Sequence, residues 1–203
     1  MYERAFDAGA TFRQFLADAV ANTDMWHAMA KRASLPQEVV ERLRRVPGRW
    51  RLLAIAEDWC GDAVNILPVV ARLAAASSRL ELRIVRREAW PELMERHLTS
   101  GSRSIPVIIL LDEAGACRGW WGPRPTELQA WFETEGRALP KEARYPELRR
   151  WYARDRGRAI AREVAEMVAS STSTRSANVP PTPSSSSEAG ATRERCSRTG
   201  RCA

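Results

Sequence analysis

The chain has 203 residues, 44% of them apolar and 28% charged, and a formal net charge of +7. That suits one ordinary domain with extensions, or two small ones, and supplies enough core material to exclude a miniprotein held by disulfides. The longest apolar run, Pro106 to Leu111, falls far short of the roughly 20 residues that span a bilayer, which excludes a transmembrane helix. The start, Met1-Tyr2-Glu3-Arg4, lacks the basic and apolar stretches of a secretory signal, so a cytoplasmic protein is expected, with no membrane partner.

The positive charge is diluted. Residues 1–169 carry 27 basic and 23 acidic side chains, and residues 170–203 carry 5 and 2. Only Lys31 and Lys141 are lysines. This reads as solvated faces rather than a nucleic-acid footprint, and nucleic acid is not expected as a partner.

In chain order, residues 11–32 predict an amphipathic helix with Thr11 as N-cap, open to interruption at Asn22-Thr23-Asp24. A short helix, 36–45, follows Pro36. Trp50 to Ala56 is an apolar run suited to a strand buried on both faces. Gly61 to Ala76 predicts a helix, Leu80 to Arg86 an alternating strand, and Pro91 to Leu98 a short helix. Val107 to Leu111 is a second buried strand, and Ala116 to Trp121 its hairpin partner. Pro125 to Thr134 and a long stretch, 144–168, predict the last helices. A strand–helix–strand unit implies a parallel crossover and the later hairpin adds antiparallel strands. The expected fold is α/β, with a mixed sheet and helices on both faces. Three regions are expected: a helical extension over 1–49, the sheet domain with its C-terminal helix over 50–169, and a disordered tail over 170–203. In that tail 14 of 34 residues are Ser or Thr, and apolar side chains nearly vanish. Cys196 and Cys202 lie in it and read as two exposed thiols.

The densest chemistry is Glu57-Asp58-Trp59-Cys60-Gly61-Asp62-Ala63, where a buried strand gives way to a helix. Cys60 falls just ahead of a helix N-terminus, whose unpaired N–H groups favour a thiolate. The acids Glu57, Asp58 and Asp62 oppose this by like-charge repulsion.

Trp-Cys-Gly after a buried strand resembles the active-site turn of the thioredoxin family. Pro68, eight residues after Cys60, matches the proline that kinks the family's active-site helix, and Ser104-Ile105-Pro106 matches its cis-proline loop. Together with Gly101-Ser102-Arg103 and Trp121-Gly122-Pro123-Arg124-Pro125, these motifs are similar to a bacterial branch of thioredoxin family proteins that has an N-terminal helical extension. The resemblance spans about residues 10–165. It implies a thioredoxin-like fold and thiol–disulfide exchange, with Cys60 as the nucleophile. Ile105 and Pro106 would present the substrate, and Trp59, Gly61 and Trp121 would shape the site.

The departures bear on mechanism. The family's second cysteine is Ala63 here, so the resolving step of a two-thiol cycle is missing from this turn. The acid that many thioredoxins bury six residues before the first cysteine is Ala54. A single cysteine still permits monothiol exchange, resolved by an external small thiol or by a distant Cys117. Cys117 reads more readily as a small buried hydrophobe. Arg103 admits two readings, a group that binds a carboxylate or stabilises the thiolate, and a solvated loop charge. Of Trp120 and Trp121, alternation sends one indole to each face of a strand.

No Cys/His spacing suits zinc, and His27 and His97 read as isolated surface or helix-face residues. Neither a phosphate loop nor a Gly-x-Ser-x-Gly elbow is present. No metal or cofactor is expected. The first expectation is therefore a monothiol oxidoreductase acting on a protein or low-molecular-weight disulfide, with a small thiol as reductant. The alternative is a binding module that offers the groove between Trp59-Cys60 and Ile105-Pro106 to a peptide or protein.

Overall fold

The computed structural model describes residues 1–173. Four short helices come first: α1 (Tyr2–Ala8), α2 (Phe12–Ala17), α3 (Thr23–Arg32) and α4 (Gln37–Arg45). The sheet strands are β1 (Trp50–Ala56), β2 (Leu80–Arg86), β3 (Val107–Leu111) and β4 (Cys117–Trp121). Between and after them lie α5 (Gly61–Ala75), α6 (Pro91–Glu95), α7 (Thr126–Trp131) with a π-helical turn over Phe132–Gly136, α8 (Lys141–Asp155) and α9 (Arg158–Ser173).

The sheet order is β2-β1-β3-β4. β1 runs parallel to β2 and antiparallel to β3, and β3 pairs antiparallel with β4. Directly paired residues share a face, so register assigns the layers. Ile84, Ala54, Ile108 and Trp121 form one row, and Trp121 bonds to Glu163 of α9. Arg83, Leu53, Ile109 and Trp120 form the adjacent row on the other face, where Arg83 and Arg51 stack on Phe6 of α1. α5 and α9 pack on each other, with α3 against α5 and α4 against α9. The result is the expected mixed sheet with helices on both faces. β1 is buried along nearly its whole length because both layers close over it. Ala10 pairs with Ile84 through two 2.8 Å backbone bonds, so the N-terminal segment covers the open edge of β2.

The structure takes one of the alternatives left open for the N-terminal stretch and departs from the expectation in the C-terminal one. The stretch 11–32 is two helices. A capping box starts α2, in which Thr11 Oγ1 accepts from the Gln14 N–H and Gln14 Oε1 accepts from the Thr11 N–H. The chain then leaves the helix so that the N–H groups of Val20 and Ala21 reach Asp58 Oδ2, at 2.8 and 3.2 Å. Asn22 and Trp26 also donate to the Asp58 carbonyl, each at 3.0 Å. The long C-terminal helix is likewise broken, at Arg156 and Gly157, which have φ of 57° and 78°. A Cβ at Gly157 would come within 2.6 Å of Val69 Cγ2, so this glycine lets α9 lie close on α5 while α8 turns away over the site. The last helix also continues to Ser173, past the expected start of the tail at Ser170. The remainder of that tail, with Cys196 and Cys202, lies outside the described residues.

His97 is fully buried rather than on the surface. Its Nδ1 lies 2.8 Å from the Leu93 carbonyl, which only accepts, so Nδ1 carries the proton and Nε2 is bare, with no hydrogen-bond partner among the described residues. Tyr2 and Trp120 meet the ring edge-on. Burial, with Arg96 adding repulsion, pushes the imidazole down to about 4.

Two outcomes are expected. A base depressed from 6.5 to about 4 in the folded state costs stability as pH falls through that window, because the unfolded chain binds the proton first. Comparing urea midpoints of the native protein and His97→Leu should show an extra acid-side loss in the native protein of up to about 3 kcal/mol. Asp62, whose carboxyl is pushed up, contributes with the opposite sign in both proteins, so the difference isolates His97. Second, Asp58→Ala removes a buried carboxylate that receives two N–H groups and should lower stability by about 2–3 kcal/mol. Native-state proteolysis should then cut first between α2 and α3.

Candidate functional site

The site is built where β1 ends. Glu57 and Asp58 are both buried, and both carboxylates need partners. Arg86, the last residue of β2, supplies the cation, 3.3 Å from Glu57 and 3.1 Å from Asp58. Burial works against the charge on Asp58. The two N–H groups of the α2–α3 break and Arg86 outweigh it and hold the carboxyl below its usual range. With both acids fixed, the turn closes through a 3.2 Å bond from the Cys60 N–H to the Glu57 carbonyl. Cys60 becomes the N-cap of α5.

Its Sγ is enclosed, with 8% of the residue exposed. The thiol donates to the Ile105 carbonyl at 3.4 Å. The Ile105–Pro106 bond is cis, as is Gly122–Pro123. A Cβ on Gly122, which has a φ of 126°, would stand 2.3 Å from the Pro106 carbonyl oxygen, so only glycine lets the end of β4 meet the loop that carries Pro106.

Burial pushes the Cys60 thiol up, and the like charge of Asp62 pushes it further; the N–H groups of Ala63 and Asp62 and the cation of Arg124 pull back, leaving it at about 11. Of the three acids expected to oppose ionisation, Asp62 is the one that acts on Cys60, since Arg86 holds the other two. The Asp62 side chain is only 11% exposed. It pairs with Arg124 Nη2 at 2.7 Å and accepts from Tyr152 Oη at 2.8 Å. Burial pushes its own carboxyl up against the pull of those two partners. Arg124 is held in turn by stacking on Phe132, 4.0 Å from the ring centroid, and by a 3.1 Å bond to Gln129.

Above Cys60 lies a cavity of about 440 Å³. Trp59, Cys60 and Gly61 form its floor, Met25 of α3 one wall, and Tyr145, Leu148 and Tyr152 of α8 the other. Arg144 and Arg149 also line it. Trp59 is 53% exposed, with Arg87 stacked 5.2 Å from its ring centroid. The N-terminal extension thus has two roles: α1 covers a face of the sheet and α3 walls the groove.

The structure brings together Trp59, Cys60, Gly61 and, through one carbonyl, Ile105 with its neighbour Pro106. It does not bring Arg103, Trp121 or Cys117 to the groove. Arg103 is 56% exposed and ion-paired with Glu95; its contribution is its carbonyl, which accepts from Arg87 at 3.2 Å. Trp121 is buried, with its indole N–H bonded to Glu163 at 2.7 Å. Cys117 pairs with Leu111 at the far end of the sheet. It is held in a disulfide, so it offers Cys60 no free thiol. Sequence reasoning missed the Asp62–Arg124–Tyr152 cluster. Arg124 was visible in the Gly122-Pro123-Arg124-Pro125 motif, but nothing local pairs it with Asp62. No group of three or more His, Cys, Asp or Glu side chains suited to a metal occurs among the described residues.

This arrangement, a lone cysteine capping a helix against a cis-proline loop, defines a thioredoxin-type site without its second thiol. The thioredoxin family model matches residues 9–139, and the chain belongs to that family. Among solved structures, a protein of unknown function from Pseudomonas aeruginosa is 23% identical, covering 86% of this chain and 98% of that one with a TM-score of 0.65. An HIV epitope scaffold is 24% identical over 81% and 95%, with a TM-score of 0.62. These likenesses show the fold. No curated protein matches the sequence.

Changing Asp62 should alter Cys60 directly. Asp62→Asn removes the repelling charge and leaves the Arg124 cation uncompensated, so alkylation of Cys60 at pH 8 should accelerate at least tenfold. Arg124→Gln should slow it. Peptide mass spectrometry of Cys60 after timed iodoacetamide treatment reads both.

Proposed function

We propose that this protein carries out thiol–disulfide exchange through Cys60 alone, as a monothiol oxidoreductase of the cytoplasm. The observation that carries this reading is the placement of Sγ, at the N-terminus of α5, on the Ile105 carbonyl beside Pro106, and at the floor of an open groove. Deprotonated Cys60 would attack one sulfur of a disulfide. The S–S bond breaks, one half leaves as a thiol, and the other remains as a mixed disulfide on Cys60. An external small thiol then attacks that bond, which frees Cys60 and carries the second half away. With Ala63 in the turn and Cys117 held in a disulfide, no second free thiol stands beside Cys60 among the described residues, and an external thiol serves as resolver. No cofactor enters this scheme.

The resting thiol is a poor nucleophile near neutrality, because at a pKa of about 11 only about one molecule in ten thousand is ionised at pH 7. This enclosure favours a second reading, a binding module that offers the same groove to a peptide or protein partner without turnover.

The test is the pH dependence of Cys60 modification in the full chain, followed by peptide mass spectrometry with Cys60→Ser as control. The alkylation rate should rise about tenfold per pH unit from pH 7 to about 10. A mixed disulfide should form on Cys60 with a small disulfide and be released by added thiol, and Cys60→Ser should abolish turnover. A Cys60 that alkylates at pH 10 yet never forms or releases a mixed disulfide would leave the binding reading.

A further inference from the structure

We propose that the groove over Cys60 selects small disulfides bearing carboxylates, with Arg144 and Arg149 of α8 as the residues that recognise the anion. This rests on the reading of Cys60 as an exchange thiol, and it names the substrate class.

Size is the first argument. The cavity of about 440 Å³ falls within the range of small-molecule sites, and Cys60, itself only 8% exposed, lines it. α8 stands over the opening, so a slim disulfide reaches the sulfur more readily than a folded protein's loop does.

Charge is the second. Asp62 and Arg124 neutralise each other at the base of the groove. Arg144 lies against the rings of Phe132 and Tyr145, 5.5 and 5.7 Å from their centroids, which holds its guanidinium at the rim. Neither Arg144 nor Arg149 forms an ion pair among the described residues, whereas Arg150, on the same helix, is paired with Glu147. Among the described residues the lining therefore keeps two uncompensated cations and no uncompensated acid. The third argument is the apolar surface between floor and rim. Trp59, Met25 and Tyr145 are all partly exposed there, a surface suited to the body of an aromatic or aliphatic ligand. An anion at the rim and a disulfide at the floor satisfy the groove together.

The exchange balances without a further reactant. The Cys60 proton goes to solvent, the thiolate forms a bond to one disulfide sulfur, and the S–S bond breaks. Cys60 is oxidised to a mixed disulfide and the departing half is reduced to a thiolate.

The experiment uses three probes on the full chain at pH 8.5 and low ionic strength: 5,5′-dithiobis(2-nitrobenzoate), neutral 2-hydroxyethyl disulfide and cationic cystamine. Formation of the Cys60 mixed disulfide is followed by peptide mass spectrometry in the native protein and in the double variant Arg144→Gln/Arg149→Gln. Exposed ion pairs are each worth up to about a factor of five. The double variant should therefore slow the dicarboxylate about five- to tenfold, leave the neutral probe unchanged and speed cystamine. High salt should erase the difference between proteins. Equal changes for all three probes, or no change, would overturn the proposal. Arg149→Gln alone, at an exposed position, gives a smaller shift in the same direction and guards against a folding defect in the double variant. If Cys60 reacts with none of the probes in either protein, the exchange reading fails instead. Anion recognition is then read from non-covalent binding of the 5-thio-2-nitrobenzoate anion by tryptophan fluorescence quenching. Weaker binding in the double variant supports it, and equal or absent binding overturns it.

Discussion

Two buried carboxylates at the end of β1 organise this molecule. Glu57 and Asp58 stand where the central strand leaves the sheet, and neither can remain there without a cation and hydrogen-bond donors. Arg86 comes from the neighbouring parallel strand, and the donors come from a break in the N-terminal helical stretch. The same contacts dock α3 beside the Cys60 turn and set where Cys60 emerges. A residue pair that looks like part of a catalytic motif is therefore the joint between extension and core.

The thiol itself is governed by a different carboxylate. Asp62 lies within the first turn of α5 and is buried between Arg124 and Tyr152. Helix N-termini favour a thiolate, but the low-dielectric surroundings and the nearby acid outweigh the N–H groups of Ala63 and Asp62. The cluster also ties three distant segments together: the start of α5, the loop after β4, and α8. Because Tyr152 and Arg124 hold Asp62, the helix that roofs the groove and the electrostatics of the cysteine share a set of bonds.

Breaking the last helical stretch at Gly157 has a functional consequence. One half, α9, completes the core against α5 and β4. The other half, α8, is left with a polar surface and places Tyr145, Arg144 and Arg149 over Cys60. A continuous helix could not do both, since its axis would carry the groove wall away from the site.

The strands were legible locally: β1, β2 and β3 fall on the residues that period and composition mark, because burial on both faces demands unbroken apolar runs and half-burial demands alternation. Trp59, Cys60 and Gly61 were legible as a site, since the strand-to-helix junction is a local feature. What local pattern could not carry is partnership. His97 looks like any polar helix residue until Tyr2 and Trp120 enclose it. Arg103 and Trp121 lie near the right motifs, yet Glu95 and Glu163 hold them elsewhere. Arg124 and Asp62 are 62 positions apart and meet only because β4 ends beside the start of α5. The sequence alone settles the strands, the sheet class and the cysteine's place at a helix cap, all consequences of neighbours along the chain. Whether that cysteine rests as thiol or thiolate was decided by the fold, because burial and charge depend on groups that only tertiary packing brings within a few ångströms.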